Sequence, residues 1–192
     1  GNVKAMQNNI GGLVGANNAT ISDSYAMGKI DGAGTAFKLG GFVGQNLVSG
    51  VVERSYALGE VVVSGTGHFA GGFAGENLGE INTSYAKGNV YSPNDFGGGF
   101  IGTNSGEIVS SFATGSISGS DNLGGFIGEM TSGGSITLSY ALGDVTGASS
   151  VAGFIGSASG GSFINDSYNK NTIIGVDVGG FIGTANAVTI TD

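Results

Sequence analysis

Apolar residues recur along this chain in fixed columns rather than in a helical stripe. One aliphatic residue stands four places before each ring of a Ser-aromatic pair, at Ile21, Val52, Ile81, Ile108, Ile136 and Ile164; the rings are Tyr25, Tyr56, Tyr85, Phe112, Tyr140 and Tyr168. A second follows each ring by five, at Ile30, Val61, Val90, Ile117, Val145 and Ile173. A Gly-aromatic-aliphatic-Gly unit begins at Gly12, Gly41, Gly72, Gly99, Gly125, Gly153 and Gly180, giving a period of 26–31 residues. The two ring-to-aliphatic spacings hold in all six copies. Length varies only before each anchor glycine and after the closing glycine of the unit. Constant segments joined by variable ones are strands joined by loops, because loops tolerate insertion far better than strands do.

Each copy thus predicts three short β segments, around Phe-Ile, around Ile-x-x-Ser-Tyr-Ala and around Gly-x-Val. None can bury its apolar side alone. Stacked in parallel at about 4.8 Å per copy, each would pair with the copies above and below, and like side chains would form ladders. The expected fold is all-β, a parallel β-helix or β-solenoid of about six to seven coils of 26–31 residues. Parallel crossovers are overwhelmingly right-handed, so a right-handed coil is expected. Residues 1–192 read as a single repeat array. A propeller blade needs roughly 40–50 residues, and a leucine-rich repeat needs several leucines per copy; neither fits.

Both ends cut through a repeat. Gly1-Asn2-Val3 has the form of Gly88-Asn89-Val90, and Ile190-Thr191-Asp192 that of Ile21-Ser22-Asp23. Neither end shows the polar cap that solenoids normally carry. The expectation is a segment of a longer protein, its outer strand edges covered by further repeats or by other subunits end to end.

Composition narrows the picture further. Glycine supplies 41 of 192 residues; a collagen is excluded because glycine does not recur every third residue and Pro93 is the single proline. With 40% apolar residues and only 10% charged, the chain can form a core. The abundant glycines are expected where corners need positive φ and where backbones of successive coils approach closely. Net charge is −8, and the six Lys and Arg residues are scattered singly; no basic patch exists to neutralise phosphates, so no nucleic-acid partner is expected. The apolar runs are too short for membrane insertion. Cysteine is absent, which removes disulfides and thiolate metal sites.

The Gly-Gly-Phe-Ile-Gly units at 98–102, 124–128 and 179–183, with Gly-Gly-Leu-Val-Gly at 11–15, resemble the GLUG motif of bacterial surface proteins. These include filamentous-haemagglutinin-like adhesins and the non-catalytic region of immunoglobulin A-specific metallopeptidases. The resemblance covers essentially the whole chain. It implies a secreted or cell-surface location and a structural or adhesive role: a rigid stalk, an adhesion surface or a subunit of an extracellular fibre, with host or surface glycans and proteins as partners. The motif carries no catalytic residues, and no His-Glu-x-x-His sequence is present.

Candidate chemistry is sparse. Asn17, Asn46, Asn77 and Asn104 form a column that gives way to Met130, Ala158 and Ala185; stacked amides can bond along the axis. Ser24, Ser55, Ser84, Ser111, Ser139 and Ser167 precede the rings, and six identical serines without a paired histidine read as a strand position. His68, the single histidine, sits in a loop and reads as solvent-facing. Glu80 and Glu107 share a column in adjacent copies. A spacing of about 5 Å would suit a retaining glycosidase pair or half of a calcium site; a solvated pair is the plainer reading. Lys29 and Glu60 read as a surface salt bridge. Calcium rolls of the GGxGxD type are not matched. The reading assigns no catalytic, cofactor-binding or metal residue and no cofactor, and it is non-enzymatic; a carbohydrate-active β-helix enzyme or glycan-binding module is the alternative.

One geometric question stays open at this level. Leu13, Phe42, Phe73, Phe100, Phe126, Phe154 and Phe181 are each followed by an aliphatic residue or by Ala74. Neighbours in a strand point to opposite faces. Either the strand bends at its glycines and turns both columns inward, or one column lies outside as an interaction surface. The inward arrangement is the one favoured.

Overall fold

A computed structural model describes residues 1–35 and 37–192. Among them every regular element is a β-strand, and no helix forms. The coil built on Val61–Ala86 shows the unit: strands Val61–Val63, Phe69–Gly71, Ala74–Asn77, Glu80–Asn82 and Tyr85–Ala86 follow one another around the axis. Each pairs in parallel with its counterpart one coil away, so Ile81 lies beside Val52 and Ile108, and Asn77 beside Asn46 and Asn104. The first and second strands build seven-stranded sheets, and the fifth a six-stranded one. The third and fourth strands join into a single twelve-stranded sheet, because Ile155–Asn165 and Ile182–Thr191 run unbroken along both faces. The result is a β-solenoid of about seven turns, with an axial length of roughly 30 Å from the strand spacing.

Each of the first five coils has five strands, not the three expected, and the last two have fewer because the third and fourth strands fuse. The Ile-x-x-Ser-Tyr-Ala segment is two strands meeting at a corner, and the residue at that corner is left-handed: Asp23, Arg54, Thr83, Ser110, Leu138 and Asp166 have φ of 46–52°. Their amides remain paired across the coils, as in Arg54 N–H to the Asn82 carbonyl at 3.1 Å and Thr83 N–H to the Val109 carbonyl at 3.0 Å. The other unforeseen strand lies in the variable stretch before each anchor glycine. Its inward residues are Ile10, Leu39, Ala70, Gly97, Leu123 and Val151.

The expectation that the anchor glycines supply positive φ is therefore corrected. Left-handed glycines occur at Gly34, Gly133, Gly160 and Gly161, all outside the anchor units. Close approach is the reason that applies. A Cβ on Gly72 would lie 2.3 Å from the Gly99 carbonyl oxygen, and one on Gly102 would lie 2.7 Å from the Gly75 oxygen and 2.8 Å from the Ala70 nitrogen. The third strand of one coil thus presses its backbone onto the second strand of the preceding coil.

That contact separates two cores. On one side Leu39, Val61, Val63, Ala70, Val90, Ile117, Leu123, Val145 and Val151 pack together. On the other lie the Phe column, Val43, Ala74, Ile101, Ile127 and Ile155, together with Val52, Ile81, Ile108, Ile136 and Ile164. Ile81, Ile108, Ile136, Val90, Ile117 and Val145, the residues expected in the core from the spacings, are all buried. From Phe42 to Phe154 both columns of the Phe-aliphatic pair face inward, while Leu13 in the first coil is exposed. Phe73 stands in the bend between Phe69–Gly71 and Ala74–Asn77, outside either strand, so strict alternation does not apply to it. Its ring stacks in a ladder from Phe42 to Phe181, with centroids 4.7–4.9 Å apart. Each fully buried Phe contributes about 1.5–3 kcal/mol by burial.

Candidate functional site

The two polar columns are axial hydrogen-bond ladders. Asn17 Nδ2 donates to Asn46 Oδ1 at 2.9 Å, Asn46 to Asn77 at 2.8 Å and Asn77 to Asn104 at 2.8 Å. The same amides donate to main-chain carbonyls of their own coil, as from Asn104 to Gly106 at 3.0 Å. All four side chains are buried, where an unpaired amide would be costly. In the serine column each Oγ donates to the carbonyl two residues back, and each of the first five amides donates to the Oγ of the following coil, as at Ser55 and Ser84. From Ser55 to Ser167 the hydroxyl thus both donates and accepts within the scaffold, while Ser24 Oγ only donates.

His68 is half-buried. Its ring stacks on Phe37 with centroids 5.5 Å apart and lies 3.8 Å from the Asp95 carboxylate. Lys29 and Glu60 form the expected ion pair, at 2.7 Å. Arg54 spans Asp23 and Glu53 at 2.8 Å each, and its hydrogen bond to Asp23 holds that carboxyl below the usual range. These are exposed pairs of small energetic value.

Glu80 and Glu107 are register partners on the outer face of the fourth strands. They line a groove of about 420 Å³ that crosses four coils, whose lining includes the apolar Val48 and Leu78 and the hydroxyls of Ser49, Ser105 and Ser135. The floor is fixed from beneath, because Asn46 and Asn77 donate to the main-chain carbonyls of Glu80 and Glu107 at 3.3 and 3.4 Å. Asn82 Nδ2 donates to Glu80 Oε1. Among the described residues neither carboxylate has a cationic partner, and no three His, Cys, Asp or Glu side chains gather to hold a metal. Such a groove can accept hydrogen bonds from hydroxyl or ammonium groups.

The orientation of the Ser-aromatic rings is not legible from their spacing. Tyr25, Tyr56, Tyr85, Phe112, Tyr140 and Tyr168 stand outside the fifth strands, while the alanines that follow the first five face the core and Asn169 takes the sixth place. The rings stack 4.8–5.3 Å apart with planes within 11°. Stacking uses up their faces along the ladder and leaves edges and hydroxyls to solvent. Lys87 Nζ lies 5.0 Å from the Tyr85 ring centroid, and burial pushes the Tyr140 phenol up. Comparison with known protein families, curated proteins and solved structures finds no match for the chain.

Proposed function

We propose that this chain is a rigid structural and adhesive segment of a secreted or surface-anchored bacterial protein, akin to the GLUG-motif repeat regions it resembles. The observation that carries the reading is the run of ladders along one axis: inner Phe, Ser and outer aromatic through six coils each, and buried Asn through the first four. Each ladder couples a coil to its neighbours through contacts that hold only while the axis stays straight. A rod of this kind sets a fixed distance between whatever flanks it and repeats its lateral surface at the coil spacing, which favours multivalent contact. No helix in the described residues is long and apolar enough to cross a membrane. The test is single-molecule energy transfer between dyes on the first and last coils. A single narrow distance that persists in moderate urea supports the rod; a broad distribution in buffer refutes it.

One observation favours a second reading, a carbohydrate-active enzyme: Glu80 and Glu107 share one groove at adjacent register. Turnover of any oligosaccharide in a broad panel, abolished by Glu80→Gln or Glu107→Gln, would establish it over the structural role.

A further inference from the structure

On the outer face of the first strands the register runs Val62, Tyr91, Ser118, Thr146, Ile174. Tall side chains therefore stand on either side of two short ones. The neighbouring column repeats the profile. Pro93 lies beside Tyr91, Ser120 and Ala148 follow along the axis, and Val176 continues it, its N–H donating to the Ala148 carbonyl at 2.8 Å. The short residues floor a cleft of about 410 Å³ lined by Tyr91, Pro93, Ser118, Ser120, Thr146 and Ala148. Tyr91 is 45% exposed at one end, and Ile174 and Val176 are 59% and 84% exposed beyond the other. Three coil steps separate Tyr91 from Ile174, about 14 Å at the strand spacing.

The chemistry of this cleft differs from that of the groove at Glu80 and Glu107. No charged side chain lines it, although the chain as a whole carries −8. Its polar side-chain groups are the hydroxyls of Tyr91, Ser118, Ser120 and Thr146, each both donor and acceptor. Its one ring is unlike the ladder rings: Val62 and Ser118 flank Tyr91 in register, so no aromatic covers its faces. An aromatic face with apolar neighbours and a few hydroxyls can meet the C–H face and the hydroxyl rim of a sugar ring at once. A charged ligand would find no counter-charge there.

We propose that this cleft binds a short neutral oligosaccharide, with Tyr91 as the stacking platform and Ser118, Ser120 and Thr146 as the hydroxyl contacts. The proposal rests on the adhesive part of the reading above and supplies its ligand class.

The experiment is an NMR titration of the chain with cellotetraose, chitotetraose, maltotetraose and xylotetraose, each to about 10 mM, the range where weak single-site binding is measurable. The expected result is saturable shifts for at least one sugar, centred on Tyr91, Ser118 and Thr146. Tyr91→Ala should weaken binding at least tenfold, Tyr91→Phe should retain it, and Thr146→Val should weaken it severalfold. Glu80→Gln should leave it unchanged. Thermal melts of Tyr91→Ala should match the parent, since the ring is solvent-facing. No shift with any of the four sugars, equal affinity in Tyr91→Ala, or shifts confined to the Glu80 groove would each overturn the proposal, as would preferential binding of a proline-rich peptide. Failure here with a fixed end-to-end distance removes the ligand class and keeps the rod; sugar binding with a variable distance does the reverse.

Discussion

Replacing Gly72 with alanine tests why the anchor glycines are there. The new Cβ would sit 2.3 Å from the Gly99 oxygen and 3.1 Å from the Ala86 Cβ, against an ordinary carbon–oxygen contact of about 3.4 Å. Relief needs a backbone shift of about 1 Å, and that shift strains two hydrogen bonds to the next coil: Gly72 N–H to Gly98 O at 3.2 Å and Phe73 N–H to Phe100 O at 2.8 Å. Each is worth about 0.5–1.5 kcal/mol, and overpacking itself costs about 1–3 kcal/mol, so the total is about 2–6 kcal/mol. Gly180 provides the control. It occupies the same column, yet a Cβ there meets nothing within 4 Å, and Gly180→Ala should stay within about 0.5 kcal/mol of the parent. The assay is urea unfolding followed by circular dichroism, with hydrogen exchange to locate the loss, because stacked repeats need not unfold as one unit. Exchange should quicken in the coils around Gly72 and Gly99. A Gly72→Ala protein within 1 kcal/mol of Gly180→Ala would show that close backbone approach is not what the column requires.

Ile108→Ala removes a fully buried side chain flanked in register by Ile81 and Ile136, and should cost about 2–5 kcal/mol in the same melts; a loss under 1 kcal/mol would contradict its burial. Thr83→Gly relieves a β-branched residue held at φ 47° on an exposed corner and should stabilise by about 0.5–1 kcal/mol; destabilisation would mean that the Thr83 side chain contributes more than its strain. Glu129 is raised from its ordinary 4.5 by burial, partly offset by the Thr103 hydroxyl. A raised carboxyl means that the native state holds the proton more tightly, so its contribution to stability falls as pH rises through the folded-state pKa. Glu129→Gln should therefore raise the melting temperature at pH 7, with the advantage gone near pH 4; an advantage independent of pH would rule out ionisation as the cause.

The core was legible because column spacing is a direct record of parallel register: Ile81, Ile108 and Val90 could be placed from intervals alone. The Asn ladder was legible for the same reason. What escaped was corner geometry. The second strand hides in a stretch of variable length, and its inward column includes Ala70 and Gly97, which interrupts the apolar signal. The corner before each serine carries Asp, Arg, Thr, Ser, Leu and Asp in turn; only Asp among these favours a left-handed backbone, so the column as a whole does not announce one. Inward rotation of both Phe100 and Ile101 follows from Phe100 lying in a bend, which alternation along a strand cannot anticipate. The Glu80–Glu107 pairing could be read from the column; the groove around it depends on the loop positions of Val48 and Leu78 and could not.

The most direct test of the solenoid itself measures its rise. Lys29, Glu60, Asn89, Ser116, Asp144 and Thr172 form one column, exposed in every coil, and the chain has no native cysteine, so paired cysteines there take spin labels cleanly. Electron–electron resonance between Lys29 and Ser116, Asp144 or Thr172 should give mean distances that grow linearly by about 4.8 Å per coil, near 14, 19 and 24 Å. Distances that fail to increase with each added coil, or that spread broadly at every pair, would contradict a stacked parallel solenoid.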